Sequence, residues 1–172
     1  MQDEPMEVRT AETPADLDEA RRLIRAFLAW HREQHVEDLE LIDAYFDPMA
    51  FEAELAGLPG EYGPPDGAPL LAWEDGVALG CVASHRHDET SSEMKRMFVP
   101  IAARGTGAGR ALAEAIVAWA RDAGYREMLL ETSVRQLPAM SLYRSLGFVE
   151  TEPYYDFPPE MRDWLVFFRL EL

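Results

Sequence analysis

The stretch from Glu93 to Arg110 limits this chain more than any other. Glu93–Val99 reads as a short strand and Pro100 ends it. Gly105, Gly107 and Gly109 then alternate at the start of a helical run, Ala108–Ala123, which Gly124 stops. Glycines at every second position leave backbone N–H groups open and permit the positive φ angles that turn them into one concavity. The helix adds its own unpaired N–H groups and the positive end of its dipole, so the junction is suited to an anion such as pyrophosphate.

Other anion-binding turns fit less well. A P-loop requires GxxxxGK followed by Ser or Thr, and no lysine follows these glycines. A dinucleotide fingerprint GxGxxG would need glycine at Arg110 or Leu112, depending on its start. Pro100 and four more residues also separate the strand from the first glycine, whereas a dinucleotide turn follows its strand directly. Glu131, roughly twenty residues on, is the one feature that imitates that fold.

Two elements together point to a family. Arg104-Gly105-Thr106-Gly107-Ala108-Gly109 resembles the coenzyme A pyrophosphate loop of the GNAT superfamily of N-acetyltransferases. Ala139-Met140-Ser141-Leu142-Tyr143-Arg144-Ser145-Leu146-Gly147-Phe148 resembles its A-x-x-L-Y-x-x-x-G-F element, in the right order and separated by a helix and a strand. The resemblance is close from about Gly80 to the C-terminus and loose before it. Leu58-Pro59-Gly60, Glu93–Met97 and Pro153-Tyr154-Tyr155 are similar to a bacterial group of small acetyltransferases within the superfamily.

At 172 residues, 48% hydrophobic and 28% charged, the chain suits one globular domain, 1–172. No apolar run approaches the roughly 20 residues of a membrane span, and the N-terminal Met1–Glu7 does not read as a signal peptide. The single Cys81 excludes an internal disulfide, fits a reducing cytoplasm, and sits in a strand-like run that makes it a small core residue. A net charge of −16 disfavours nucleic acid and anionic membranes and favours cationic small molecules or basic peptides, although solubility alone explains such a surface. Lys95, Arg96, Arg104 and Arg110 are the basic exceptions, clustered about the glycine loop.

Met6–Thr10 alternates as a strand. Thr13 and Pro14 offer an N-cap and a first helical position, and Leu17, Ala20, Leu23, Ile24, Phe27 and Leu28 follow at helical spacing. Asp47-Pro48 opens a second helix that ends before Gly57; the charged, aromatic segment from His31 to Tyr45 between them has no clear pattern. Leu70–Trp73 and Val77–Ala83 flank Glu74-Asp75-Gly76 as a hairpin, and His85–Thr90 reads as a link. Tyr125–Glu131, Leu137–Leu146 and Trp164–Leu172 read as strand, helix and strand. The resulting α/β (α+β) order, β-α-α-β-β-β-α-β-α-β-β, is that of the resembled fold: a mixed, mostly antiparallel twisted sheet with helices on both faces.

The resemblance also implies a site. Acetyl-CoA is the co-substrate, with no metal; main-chain groups of Met97, Phe98 and Val99 hold its arm, and Arg104, Gly105, Thr106, Gly107, Ala108, Gly109 and Arg110 hold the pyrophosphate. Gln136 stands where many members carry a cofactor-contacting Asn, and Tyr143 matches the tyrosine that protonates the leaving thiolate. Glu93 matches a strand acid that serves as general base, and Glu131 is a second candidate base or amine anchor. Strand alternation puts Glu93, Lys95, Met97 and Val99 on one face, and partial burial should raise the Glu93 pKa. His85 and His87 read as solvated loop histidines without a third metal ligand. Tyr154 and Tyr155 should fall near the acceptor cleft, where Asp156-Phe157-Pro158-Pro159 departs from the group's usual Asn-Pro. The resemblance implies direct N-acetylation of a primary amine, with a homodimer as the candidate assembly. Two cleft acids in so acidic a chain point to a cationic acceptor, a small amine or a basic peptide N-terminus. The rival is an inactive acyl-CoA sensor or scaffold.

Overall fold

In the computed structural model, residues 4–172 are described; the first three residues of the N-terminal stretch lie outside them. Strand β1 (Glu7–Thr10) leads into helix α1 (Pro14–Gln34). Thr13 caps α1, its Oγ1 accepting from the Asp16 N–H at 3.1 Å, while the Asp16 carboxylate accepts from the N–H groups of Glu12 and Thr13. The same carboxylate takes two bonds from Arg9 on β1, at 2.9 and 3.1 Å, so one side chain ties strand to helix. Hydrogen bonding from Arg9 holds the Asp16 pKa down at about 2. Asp16→Ala is expected to destabilise the fold by about 1–3 kcal/mol, since a cap and a charge-assisted bond are lost together. An unchanged urea midpoint would mean that neither matters.

The apolar spacing predicted the first turns of α1, but the helix runs six residues past Leu28 to Gln34. His31 explains the difference: it is buried one turn beyond Phe27 and continues the apolar face with an imidazole. A short 3₁₀ turn at Val36–Asp38, α2 (Leu39–Tyr45) and α3 (Pro48–Ala56) follow, so three helices rather than two precede the hairpin. Strands β2 (Ala68–Glu74) and β3 (Val77–Arg86) join through Asp75 and Gly76 at positive φ. β3 extends through His85 and Arg86, which are strand rather than link. The rest of the chain is β4 (Ser91–Phe98), α4 (Ala108–Asp122), β5 (Glu127–Ser133), α5 (Leu137–Ser145), β6 (Val149–Thr151) and β7 (Leu165–Glu171).

The seven strands form one sheet in the order β1-β2-β3-β4-β5-β7-β6, antiparallel except for β4 and β5. Helices cover both faces. One core, with Leu23, Ile42, Phe46, Leu55 and Tyr62, lies under α1–α3; the other, with Leu112, Ile116, Leu130, Phe148 and Phe168, lies under α4 and α5. Each fully buried leucine or isoleucine contributes about 1.5–3 kcal/mol. Cys81 is buried, donates to the Arg96 carbonyl at 3.2 Å, and has its thiol pushed up to about 12 by burial, as suits a core residue.

Two irregularities in β4 make the site. The β3–β4 register slips between Cys81 and Ala83, where Arg96 takes φ +57°, so β4 carries an extra residue. The strained backbone is held by the Arg96 side chain, which pairs with both oxygens of Glu54 at 2.8 and 2.9 Å and lies over the Phe46 ring. The bulge corrects the simple alternation. Glu93, Lys95 and Phe98 face the α1–α3 side, while Met97 and Val99 pack with the opposite core. Second, β4 and β5 are paired only from Ser91–Glu93 to Glu127–Leu129. Beyond that the parallel strands part, and the gap between Lys95–Phe98 and Glu131–Ser133 is open to a ligand.

Candidate active site

Two cavities meet in this gap. The larger, about 500 Å³, runs between the Arg104–Arg110 loop, Trp30 and the start of α5. The smaller, about 80 Å³, is walled by Phe27, His31, Tyr45 and Trp164 and floored by Lys95 and Glu131. Phe27, Met97, Gln136, Ala139 and Tyr143 belong to both.

The glycine loop has the chemistry of an anion cradle. Gly105 and Gly107 lie at φ +81° and +90°, where L side chains are strained, and Gly107 caps α4 with no side-chain bond. The N–H groups of Gly105, Thr106, Gly107, Gly109 and Arg110 have no partner among the described residues, whereas Ala108 N–H donates to Thr106 Oγ1. Thr106 turns inward, donating to the Ala103 carbonyl at 2.6 Å, so its part in the loop is to brace it. Five free N–H groups at a helix N-terminus match a pyrophosphate. Of the basic residues expected around the loop, Arg104 and Arg110 line its cavity; Arg104 lies over Trp30, and Arg110 bonds Ser145. Lys95 and Arg96 do not join them, because the bulge and strand face commit both to carboxylates on the other side.

Tyr143 packs its ring on Phe148 and Phe168, and its hydroxyl bonds no described residue. Burial alone raises its pKa, so the hydroxyl is protonated at neutral pH and free to donate into either cavity.

The acids are organised by tyrosines. Glu131 accepts from the hydroxyls of Tyr45 and Tyr155 and lies 3.4 Å from Lys95 Nζ. Glu93 accepts from Tyr154 and from His85 Nε2 at 2.7 Å, with Lys95 at 3.8 Å. Glu93 is buried and lines neither cavity, so it is not open to an amine there. Its pKa also departs from expectation. Burial is the largest influence and raises it, but the bonds from His85 and Tyr154 and the charge of Lys95 outweigh burial and leave it lowered. His85 is thus a buried-carboxylate partner in β3, while His87 packs edge-on against Tyr154. Tyr154 and Tyr155 stand at the acids beside the cleft, and the Asp156–Pro159 segment docks through Phe157, stacked on Phe167.

His31 and His35 were missed in the unpatterned segment, although a His-x-x-x-His spacing on a helix was there to read. Their Nδ1 atoms are 2.7 Å apart. Burial, then the charge of His35, lowers the His31 pKa from 6.5 to about 4. A histidine buried neutral stabilises the fold fully above its ordinary pKa, and the contribution is lost as pH falls from 6.5 through about 4. The urea midpoint of the protein should therefore drop more between pH 7 and 4.5 than that of His31→Gln; equal drops would place the acid lability elsewhere.

A model of the Acetyltransferase (GNAT) family matches residues 24–148. An uncharacterized N-acetyltransferase of Schizosaccharomyces pombe is 36% identical over 168 residues, spanning 96% of this chain and 94% of its own. The aminoglycoside N(6')-acetyltransferase type 1 of Stenotrophomonas maltophilia is 35% identical over 106 residues, 55% of this chain and 69% of its own. The crystal structure of an acetyltransferase from Streptococcus agalactiae shares the fold, with a TM-score of 0.71 at 24% identity over 97% of this chain and 98% of the other. This chain belongs to the GNAT family of acetyltransferases. It is an N-acetyltransferase with acetyl-CoA as co-substrate.

Proposed function

We propose that the chain acetylates the primary amine of a small, singly cationic acceptor, which enters the 80 Å³ cavity and attacks directly. One observation carries this reading: Glu131, at the floor of an aromatic-walled cavity, shares the single charge of Lys95 with Glu93, which is buried outside the cavity lining. Arg96 is already neutralised by Glu54. One negative charge is left over, enough for one ammonium in a cavity lined by the rings of Tyr45 and Trp164. The aminoglycoside relative is named for acetylating an amino position, which supports an amine acceptor without identifying it.

Bound acetyl-CoA supplies an activated acetyl group as a thioester. In this reading the N–H groups from Gly105 to Arg110 hold its pyrophosphate, and main-chain groups of Met97–Val99, on the free edge of β4, align its arm with help from Gln136. Tyr143 donates its hydroxyl proton to the departing sulfur. Glu131 anchors the incoming ammonium, which gives up its first proton to water before attack, so the rate should rise with pH. Glu93 acts at one remove, holding Tyr154 and Lys95 in place. No nucleophilic side chain is required, because the amine itself attacks.

An amine panel with acetyl-CoA and a thiol readout tests this. Single-headed cationic amines, such as amino-acid derivatives, should release CoA, and neutral or acidic amines should not. Glu131→Gln is expected to raise KM for the amine about tenfold with little change in kcat, since an interaction made equally before and during attack is lost. A panel in which only acidic amines react would overturn the electrostatic argument.

A further inference from the structure

His31 and His35 lie one turn apart on α1 and form part of the wall between the two cavities: His31 lines the smaller one and His35 the larger. Two neutral imidazoles with Nδ1 atoms 2.7 Å apart must share a proton, one nitrogen donating and the other accepting. His31 is 3% exposed, stacked on Trp164 at 6.0 Å and flanked by Phe27 and Phe46, so its ring is held in one orientation. Its Nε2 bonds no described residue.

The other ionisable groups of the small cavity are already engaged. Glu131 has both lone pairs of one oxygen taken by Tyr45 and Lys95 and one of the other taken by Tyr155, and its remaining lone pair serves to anchor the ammonium. Arg96 is paired with Glu54, and Tyr143 is a donor kept protonated by burial. Asp38, the acid whose charge acts on His31, is bonded by Arg135 at 3.0 Å and by Trp164 Nε1 at 3.2 Å. The lone pair with no claimant is that of His31.

Resting on the acetyl-transfer reading, we propose that His31 Nε2 takes the proton released by the amine as it bonds to the acetyl carbon, with His35 as the residue that positions it. As the N–C bond forms and the C–S bond breaks, the nitrogen becomes positively charged and acidic, and its proton passes to Nε2 of His31. Tyr143 gives its own proton to sulfur and regains one from water, and His31 returns its proton to water once the product leaves. His35 accepts from Nδ1–H of His31, which fixes the tautomer with Nε2 bare. Burial and the nearby His35 keep the ring neutral, hence ready, throughout the neutral range.

Of the surrounding charges, Asp38 after α1 favours the charged form of His31. Tyr45 on α2, Lys95 and Arg96 on β4, Glu131 on β5, Arg135 before α5 and Tyr143 on α5 line the cavities that the pair separates.

The test has two arms. In the protein without ligands, imidazole nitrogen NMR at neutral pH should show His31 protonated at Nδ1 and bare at Nε2, and His35→Gln should scramble that tautomer. In kinetics, His31→Ala and the size-conserving His31→Gln should fold, bind acetyl-CoA as before, and lose about a hundredfold in kcat. Added imidazoles should rescue His31→Ala in proportion to their basicity, which simple filling of a hole would not do. Nε2 found protonated in the resting protein, a His31 variant with full kcat, or rescue independent of basicity would each overturn the role of His31 while leaving acetyl transfer intact. A parent protein that binds acetyl-CoA but acetylates no amine would instead overturn the acetyl-transfer reading, and this role with it.

Discussion

Tyr143→Phe is expected to lower kcat by roughly tenfold to a thousandfold while fold and acetyl-CoA affinity stay intact. The ring can be kept because it does the packing: its neighbours are Phe148 and Phe168, with centroids 5.9 and 6.4 Å away. The hydroxyl can be removed without orphaning a partner, since it bonds no described residue. What the change deletes is a proton donor that burial keeps protonated, at a point common to both cavities. A thiolate expelled without that proton is a poorer leaving group, and the loss belongs to the transition state, so it should fall on kcat. Steady-state kinetics and calorimetry with acetyl-CoA separate the two quantities. A fully active phenylalanine variant would mean that water protonates the sulfur and Tyr143 only packs.

The second large effect is expected at Gly107. Its φ of +90° is open to glycine, and a Cβ there would meet no protein atom within 4 Å. Gly107→Val therefore causes no collision in the protein; it forces a β-branched residue into a conformation that costs about 1–2 kcal/mol or more. The loop can relieve that strain only by turning its N–H groups out of convergence, and the added side chain would crowd a bound phosphate. Affinity for acetyl-CoA should fall at least tenfold, equivalent to about 1.4 kcal/mol. Gly107→Asn is the control, since asparagine tolerates positive φ and should cost less. Wild-type affinity in a folded valine variant would remove the loop from the cofactor site.

Much of this was legible locally. The Thr13 cap, the Asp75-Gly76 hairpin, the loop glycines and the Tyr143 element each depend on residues a few positions apart, and backbone chemistry ties such short patterns to one conformation. The order from the hairpin to the last strand was legible too, whereas α2, in the segment without a pattern, was not. What failed was alternation and polarity. Alternation misplaced Met97 and Val99 because the extra residue at Arg96 is stabilised by Glu54, from another helix. Polarity hid His31, a histidine that the core accepts because aromatic rings and His35 surround it.

The sequence by itself determined that this chain would build a glycine-rich loop at the start of α4 and carry Tyr143 on the wall of the same cavity, because both are written in contiguous residues. Only the tertiary structure decided what the acids do. Glu131 is gripped by Tyr45, 86 residues before it, and Glu93 is covered by Tyr154, 61 residues after it. Which carboxylate faces a cavity, and which disappears beneath a tyrosine, depends on where β4 and β5 part and on what folds back across the gap. Contacts of that span leave no periodicity in a sequence, since they are set by packing between elements rather than by the conformation of any one of them.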